Sequence, residues 1–260
     1  MSGSDDDAPD MLARFGTTHR AAVRAEWAAA RAGGLGLHVV DEDGLLLGAA
    51  PVFPSTMFNR GLGFTEHPGR IAEAVTFFAE HGVDGEIVLD PADLPPGVEP
   101  RIRLDAYLGA AEDILLAPVA GLALRIIEND EVDVWAEVIV QAYAPIPEVA
   151  AVWHAAAPHL AAVPERILVV SELDGRLVAA SSTYLADGVG WLSWAAVLPQ
   201  ARGRGIQRAM IAERARLTAE RGCARVSAWA FAGAHSSANL ARAGMPRIGE
   251  RVVVRASDLG

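Results

Sequence analysis

The chain has 260 residues, 52% hydrophobic and 21% charged, with 25 glycines and 15 prolines, a length comfortable for two domains of roughly 120–140 residues. That apolar content excludes disorder over most of the chain, and one cysteine excludes a disulfide framework or a multi-thiolate zinc site and suits a reducing cytoplasm. All 22 basic residues are arginine, which excludes an ordinary Walker phosphate loop and a lysine Schiff base to pyridoxal.

Met1–Asp10 is small and acidic, the opposite of a signal peptide's basic start, and reads as a flexible tail (residues 1–10). A helix is expected over Met11–Arg31, then strands at Leu35–Val40 and Leu45–Val52 around the hairpin signal Asp41-Glu42-Asp43-Gly44. Phe58–Phe64 reads as a strand, Pro68–His81 as a helix stopped by Gly82, and Glu86–Leu89 as a buried strand closed by Asp90-Pro91. Arg101–Ala111 fits either a helix or a strand, and Pro118–Gly121 marks a boundary, dividing the chain into 11–119 and 120–260. No apolar stretch of about 20 residues free of charge offers a membrane span.

The second part repeats this order. Val132–Ala144 and Glu148–Ala162 read as helices, the latter broken by Pro158. Arg166–Leu173 and Arg176–Leu185 are strands joined by Asp174-Gly175, and Gly190–Val197 is a third. Ile206–Arg221 is a helix with Ile206, Met210 and Leu217 on its apolar stripe and Arg208, Glu213, Arg214 and Arg216 mostly outside it. Gly222 stops it; strand Ala224–Phe231, a short helix from a Ser236 cap to Ala243, and strand Gly249–Arg255 complete the chain. The fold class is α/β (mixed α+β): a mixed, mostly antiparallel sheet flanked by helices in each half.

Charge is uneven. Residues 1–120 carry the whole formal charge of -11, residues 121–260 sum to zero, and residues 199–260 hold 11 arginines against 4 acids. A negative chain is a poor non-specific nucleic-acid binder, whereas a local basic segment suits a small anionic ligand. That segment contains Gln200-Ala201-Arg202-Gly203-Arg204-Gly205-Ile206-Gln207, a glycine-rich turn between an apolar strand and an amphipathic helix. Free helix-start amides and the positive dipole end suit a pyrophosphate, and Gly203 and Gly205 let the backbone approach its oxygens. Arg202 and Arg204 can add charge from the rim. A dinucleotide fingerprint is excluded, because Arg208 stands where its third glycine belongs.

Gln200-x-x-Gly203-x-Gly205, with the hairpin Arg166–Leu185 before it and Asn239-Leu240-Ala241-Arg242-Ala243-Gly244-Met245 after it, resembles the acyl-CoA signature of the GNAT acyltransferase superfamily over roughly residues 122–256. The first part is similar in outline but has Thr65-Glu66-His67-Pro68-Gly69-Arg70 in place of the turn, resembling the degenerate copy of a tandem GNAT protein. The resemblance implies an acetyl-CoA-dependent N-acetyltransferase acting on an amine of a small molecule. Its alternatives are a non-catalytic acyl-CoA-binding module, or a GNAT-fold enzyme using an aminoacyl-tRNA or acyl carrier as donor. It implies that Ala195, Ala196, Val197, Gln200, Arg202, Gly203, Arg204, Gly205, Ile206, Gln207 and Asn239 hold acetyl-CoA, with the Val197 amide region at the thioester oxygen.

The proton-transfer groups depart from the family pattern. Leu240 stands where a tyrosine is common, and Trp191–Ala196 holds no carboxylate. His235, Ser236 and Ser237 are the substitutes, with His235 and Ser237 as catalytic candidates; Tyr143, Tyr184 and Trp194, with Glu148, are pocket candidates. Trp191, Trp194 and Trp229 read as core, one of them facing an apolar or aromatic acceptor. His154 and His159 have the wrong spacing for a shared metal, Cys223 reads as a small buried hydrophobe, and no metal site is expected. The expected setting is cytoplasmic, with a small amine as partner, no membrane, and nucleic acid disfavoured.

Overall fold

A computed structural model describes residues 8–53, 55–143 and 146–260, without the side chains of residues 8, 9 and 129. Three Asp-Gly pairs set the hairpins. Asp43-Gly44, Asp174-Gly175 and Asp187-Gly188 all have positive φ at both residues, the backbone twist that a two-residue hairpin loop needs. They close β1 (His38–Glu42) on β2 (Leu45–Ala49), β7 (Arg166–Leu173) on β8 (Arg176–Ala186), and β8 on β9 (Val189–Val197).

The other strands are β3 (Arg60–Leu62), β4 (Glu86–Leu89), β5 (Ile102–Ala110), β6 (Leu122–Ile126), β10 (Arg225–Phe231) and β11 (Arg247–Arg255). The eleven strands of the described residues form one sheet in the order β1-β2-β3-β4-β11-β5-β10-β9-β8-β7-β6. Each half has one parallel pair joined by a crossover helix: β3 with β4 through α2 (Ile71–Glu80), and β9 with β10 through α5 (Ile206–Glu220). The final strands are exchanged. β5, from the first half, pairs antiparallel with β10, while β11, from the second, pairs antiparallel with β4. β5 and β11 pair with each other at the centre, so both halves share one sheet.

Alternation along the strands gives the sheet two apolar faces. Leu46, Val88, Val253, Leu168 and Val170 pack under α1 (Ala8–Ala32), α3 (Val132–Tyr143) and α4 (Pro147–Ala161). Leu45, Ile87, Val252, Leu192 and Val226 pack under α2, α5 and α6 (His235–Arg242). The result is three layers, helix on sheet on helix.

Some expectations change. Residues 8–10 begin α1, where Asp10 pairs with Arg14, instead of belonging to the tail; residues 1–7 and the expected helix end at Ala144 lie outside the described residues. The first strand starts at His38, after Leu35–Leu37, and the strand expected over Phe58–Phe64 is three residues long. Arg101–Ala111 resolves as strand β5, and β6 was not anticipated. Pro158 lies inside α4 and does not break it. The proline removes one helix hydrogen bond, but burial of Val152, Ala156, Ala157 and Leu160 holds the helix in place. α6 has Ala234, not Ser236, as its N-cap.

Candidate active site

After β9 the chain makes a single 3-10 turn, Pro199–Ala201, and passes through Gly203 (φ 76°) to Gly205 (φ 80°), the N-cap of α5. Its N-cap makes no side-chain capping bond, and residues 202–205 are exposed, so among the described residues its first amides are left without protein acceptors. A Cβ on Gly203 would meet nothing within 4 Å. The turn is an open, positively polarised cradle of the kind that diphosphates occupy.

The side chains around it divide the labour differently from the sequence reading. The Arg202 guanidinium folds back, donating to the Val197 carbonyl at 3.1 Å and the Ala142 carbonyl at 2.8 Å, and thereby fastens the turn to β9 and α3. Arg204 and Gln200 are exposed at the rim, and Ile206 is buried. Gln207 accepts from Asn239 at 2.5 Å, and Asn239 accepts from Arg242 at 3.3 Å, linking α5 to α6.

β9 and β10 are paired only over Val189–Trp191 and Arg225–Ser227, and diverge beyond them. The paired end is held close to α5 by Gly190, where a Cβ would sit 2.3 Å from the Thr218 hydroxyl. The open end coincides with a bulge: between Ser193 and Ala196, β9 has one more residue than β8, and Trp194 takes φ 50°. The Leu198 amide donates to Val178 on β8 at 2.8 Å, so the preceding Val197 amide points the opposite way, toward the open edge.

The bulge explains a buried charge. Arg214 on α5, expected on the solvent side, is 2% exposed. It donates to the carbonyls of Ser182 (3.2 Å), Ser193 (3.2 Å) and Met210 (3.1 Å). Trp135 Nε1 donates to the Ser181 carbonyl at 2.9 Å. The Ser182 and Ser193 carbonyls flank the bulge, so these donors pin β8 and β9 on either side of it. Burial lowers the Arg214 pKa to about 10, so the guanidinium remains charged at neutral pH.

A cavity of about 390 Å³ occupies the gap between the diverging strands. It is lined from the α5 face by Leu192, Gln207, Ile211, Ala228 and Leu240, and from the opposite face by His19, Glu26, Arg60, Trp153 and Trp229. It therefore passes through the sheet. Tyr143 and Trp194 are among its lining residues, with Trp191, Trp229, Ala195 and Ser236. Tyr143 exposes 55% of its surface, but its hydroxyl donates to the Ala195 carbonyl at 3.2 Å, and desolvation raises its pKa.

Other expected residues fall elsewhere. Tyr184 is buried beside Phe15 and Trp191 with the Arg166 guanidinium over its ring, outside the cavity wall. Ser237 is held by Asp105 at 2.9 Å and Tyr107 at 2.8 Å, a buried tie between α6 and β5. His235 is exposed, and neither it nor Glu148 lines the cavity. Cys223 is buried, and burial raises its thiol pKa. In the first half, Glu66 is taken by Arg20 (2.9 and 3.0 Å) at the place corresponding to the glycine-rich turn.

The residues that sequence reasoning missed come from that first half. Glu26 on α1 is buried, ion-paired with Arg166 and bonded by Trp194 Nε1 at 3.2 Å. Buried Glu86 on β4 lies 3.5 Å from Arg60 on β3. His19 on α1 stacks on Trp191 and lies 4.0 Å from the Trp229 ring centre. Burial, reinforced by Arg60, Arg20 and Arg251, holds its pKa well below 6.5, so it is neutral at pH 7. Only an unusual number of charged residues on apolar faces could have drawn attention to them. Among the described residues no cluster of His, Cys, Asp and Glu is arranged to hold a metal, and no helix is long and apolar enough to cross a membrane.

Comparison with known proteins places this geometry. Residues 133–245 match the family model described as acetyltransferase (GNAT) family. No curated protein sequence matches the chain. Among solved structures, a GCN5-related N-acetyltransferase from Kribbella flavida is 16% identical over 90% of this chain and 95% of its own, with a TM-score of 0.61. A putative acetyltransferase from the GNAT family of Novosphingobium aromaticivorans is 18% identical over 89% and 95%, with a TM-score of 0.56. A tandem GNAT protein from the clavulanic acid biosynthesis pathway is 14% identical over 98% of this chain and 97% of its own, with a TM-score of 0.56. At these identities the structures speak for the fold, and the family match speaks for the second half. The chain has the mixed α/β fold of a tandem GNAT protein, and its residues 133–245 match the GNAT acetyltransferase family model.

Proposed function

We propose that the protein is an acetyl-CoA-dependent N-acetyltransferase acting on an amine of a small molecule. The observation that carries this reading is the uncapped, exposed start of α5 beside a through-sheet cavity at the β9–β10 divergence. In this reading the coenzyme's diphosphate lies on the amides of 202–207, with Arg204 adding charge. Its pantetheine arm runs along the unpaired edge Ala195–Val197, and the acetyl thioester enters the cavity from the α5 face. The Val197 amide then polarises the thioester oxygen.

The acceptor occupies the opposite face, whose walls include residues of the first half. That half serves as packing and pocket wall in this proposal, not as a second active site. The amine nitrogen attacks the thioester carbon, a C–N bond forms, and the C–S bond breaks with its electron pair on sulfur. A proton released by nitrogen ends on the thiolate, giving amide and free coenzyme A.

The test is release of free thiol from acetyl-CoA by purified protein across a panel of small amines, with the acetylated amine identified by mass spectrometry. Thiol release matched by an acetylated amine supports the proposal. Tight acetyl-CoA binding with neither product across the panel would instead favour a binding module.

A further inference from the structure

The acceptor side of the cavity combines an aromatic wall with an unusual charge balance. Trp153, Trp191, Trp194 and Trp229 line it together with Tyr143. Such walls suit a flat ring and, with open indole faces, would also suit a cation. Here those faces are engaged: the Arg60 guanidinium lies 5.3 Å from the Trp229 ring centre, His19 stacks on Trp191 at 4.6 Å, and Trp153 meets Trp194 edge-on at 4.2 Å.

The charges point the same way. Glu26 is neutralised by Arg166, Glu86 by Arg60, and Arg214 lines the cavity with only backbone carbonyls as partners among the described residues. Behind His19 a second cavity of about 30 Å³ is lined by Arg20, Glu66 and Arg251, with Glu66 already held by Arg20. Among the described residues around the acceptor position, then, each carboxylate has an arginine and one arginine has no carboxylate. An added ammonium would lose its hydration without gaining an unpaired counter-ion. His19 experiences the same environment and is kept uncharged by it.

Hydrogen-bond acceptors nonetheless remain. Both bonds to Glu26 use Oε1, so among the described residues Oε2 has no partner. A neutral N–H₂ group can donate to it. Of the proton-transfer candidates, Ser237 is tied to Asp105 and His235 lies outside the cavity wall, which leaves only the hydroxyl of Ser236, not a strong base, in the lining. A nucleophile that enters without an excess proton needs no strong base to become reactive.

Building on the transferase reading above, we infer that the acceptor is a weakly basic aromatic amine, which binds and attacks in its neutral form. Its ring packs among the indoles and its nitrogen donates to Glu26 Oε2. A primary alkylamine of the same size must first shed a proton against a pKa of about 10, and a polyamine brings further charges with no partner.

Two isomers isolate basicity from size: 4-ethylaniline and 2-phenylethylamine, compared with spermidine. Acetyl-CoA binding is first measured by calorimetry; its absence would remove the underlying transferase reading. With binding established, kcat/KM at neutral pH should be at least about tenfold higher for 4-ethylaniline, because about three units separate an alkylammonium from neutrality. Its rate should stay nearly level from about pH 7 to 9, while any phenylethylamine rate climbs. Quenching of tryptophan emission in protein saturated with coenzyme A reports amine binding without turnover, and should rank the isomers in the same order. Preference for phenylethylamine or spermidine in either assay, or acetyl-CoA binding with no turnover of 4-ethylaniline, would overturn the inference and leave the transferase question separate.

Discussion

Arg214 and His19 show what a single side chain contributes here. Replacing Arg214 by Met fills similar space but removes the guanidinium that donates to the buried Ser182 and Ser193 carbonyls. Each buried group left unpaired costs about 1–3 kcal/mol, so R214M should lower the urea midpoint clearly and loosen the bulge that aims the Val197 amide. For His19 the expectation concerns pH. Its folded pKa lies below the ordinary 6.5, so between those values the unfolded chain binds a proton that the folded chain refuses. Stability from this group is therefore complete above about 6.5 and declines as pH falls toward the folded value. His19→Phe keeps a ring between Trp191 and Trp229 and should reduce the loss of urea stability between about pH 7 and 5; an unchanged slope would show that His19 is not held neutral. Neither role was legible in the sequence. Periodicity places Arg214 by its polarity, whereas the Ser182 and Ser193 carbonyls that hold it lie on β8 and β9, beside a bulge that its own helix does not announce. His19 and Glu26 are distant in sequence from β9, and nothing local joins them to it.

At the scale of elements, the glycine-rich turn and the hairpins were readable because their chemistry is local. Asp-Gly pairs fix tight turns through positive φ, and glycines between strand and helix expose amides whatever the rest of the chain does. The reading failed where packing overrode local preference, as in α4, which continues through Pro158. It also failed where an arginine had a backbone errand, as Arg202 does. A prediction belongs to the turn itself. Gly203 has φ 76° and open space where a Cβ would sit, and asparagine tolerates left-handed backbone better than most residues. Gly203→Asn should therefore leave the melting temperature nearly unchanged while weakening acetyl-CoA about tenfold or more, since roughly 1.4 kcal/mol of lost phosphate contact is enough. Equal affinity in the two proteins would mean that the diphosphate does not approach this residue.

The whole molecule is governed by the exchange of final strands. β5 lies between β10 and β11, and β11 between β4 and β5, so a cut near residue 119 leaves β10 and β4 each without the neighbour on one edge. Residues 120–260 alone should accordingly lose near-ultraviolet circular dichroism, and the full chain should unfold in one cooperative step by both fluorescence and far-ultraviolet signals. Two separated transitions would show independent halves. The exchange could not be read from the sequence, because either partner satisfies the same apolar alternation. It is also what brings Glu86, Arg60 and α1 to the edge of a cavity in the second half. The most direct check of the central claim is a calorimetric titration of acetyl-CoA into the full chain and into Arg204→Glu, a change at an exposed side chain of the turn. One molecule bound per chain, with affinity reduced about tenfold or more by the reversed charge, is the predicted result; no binding, or binding indifferent to that charge, would contradict it.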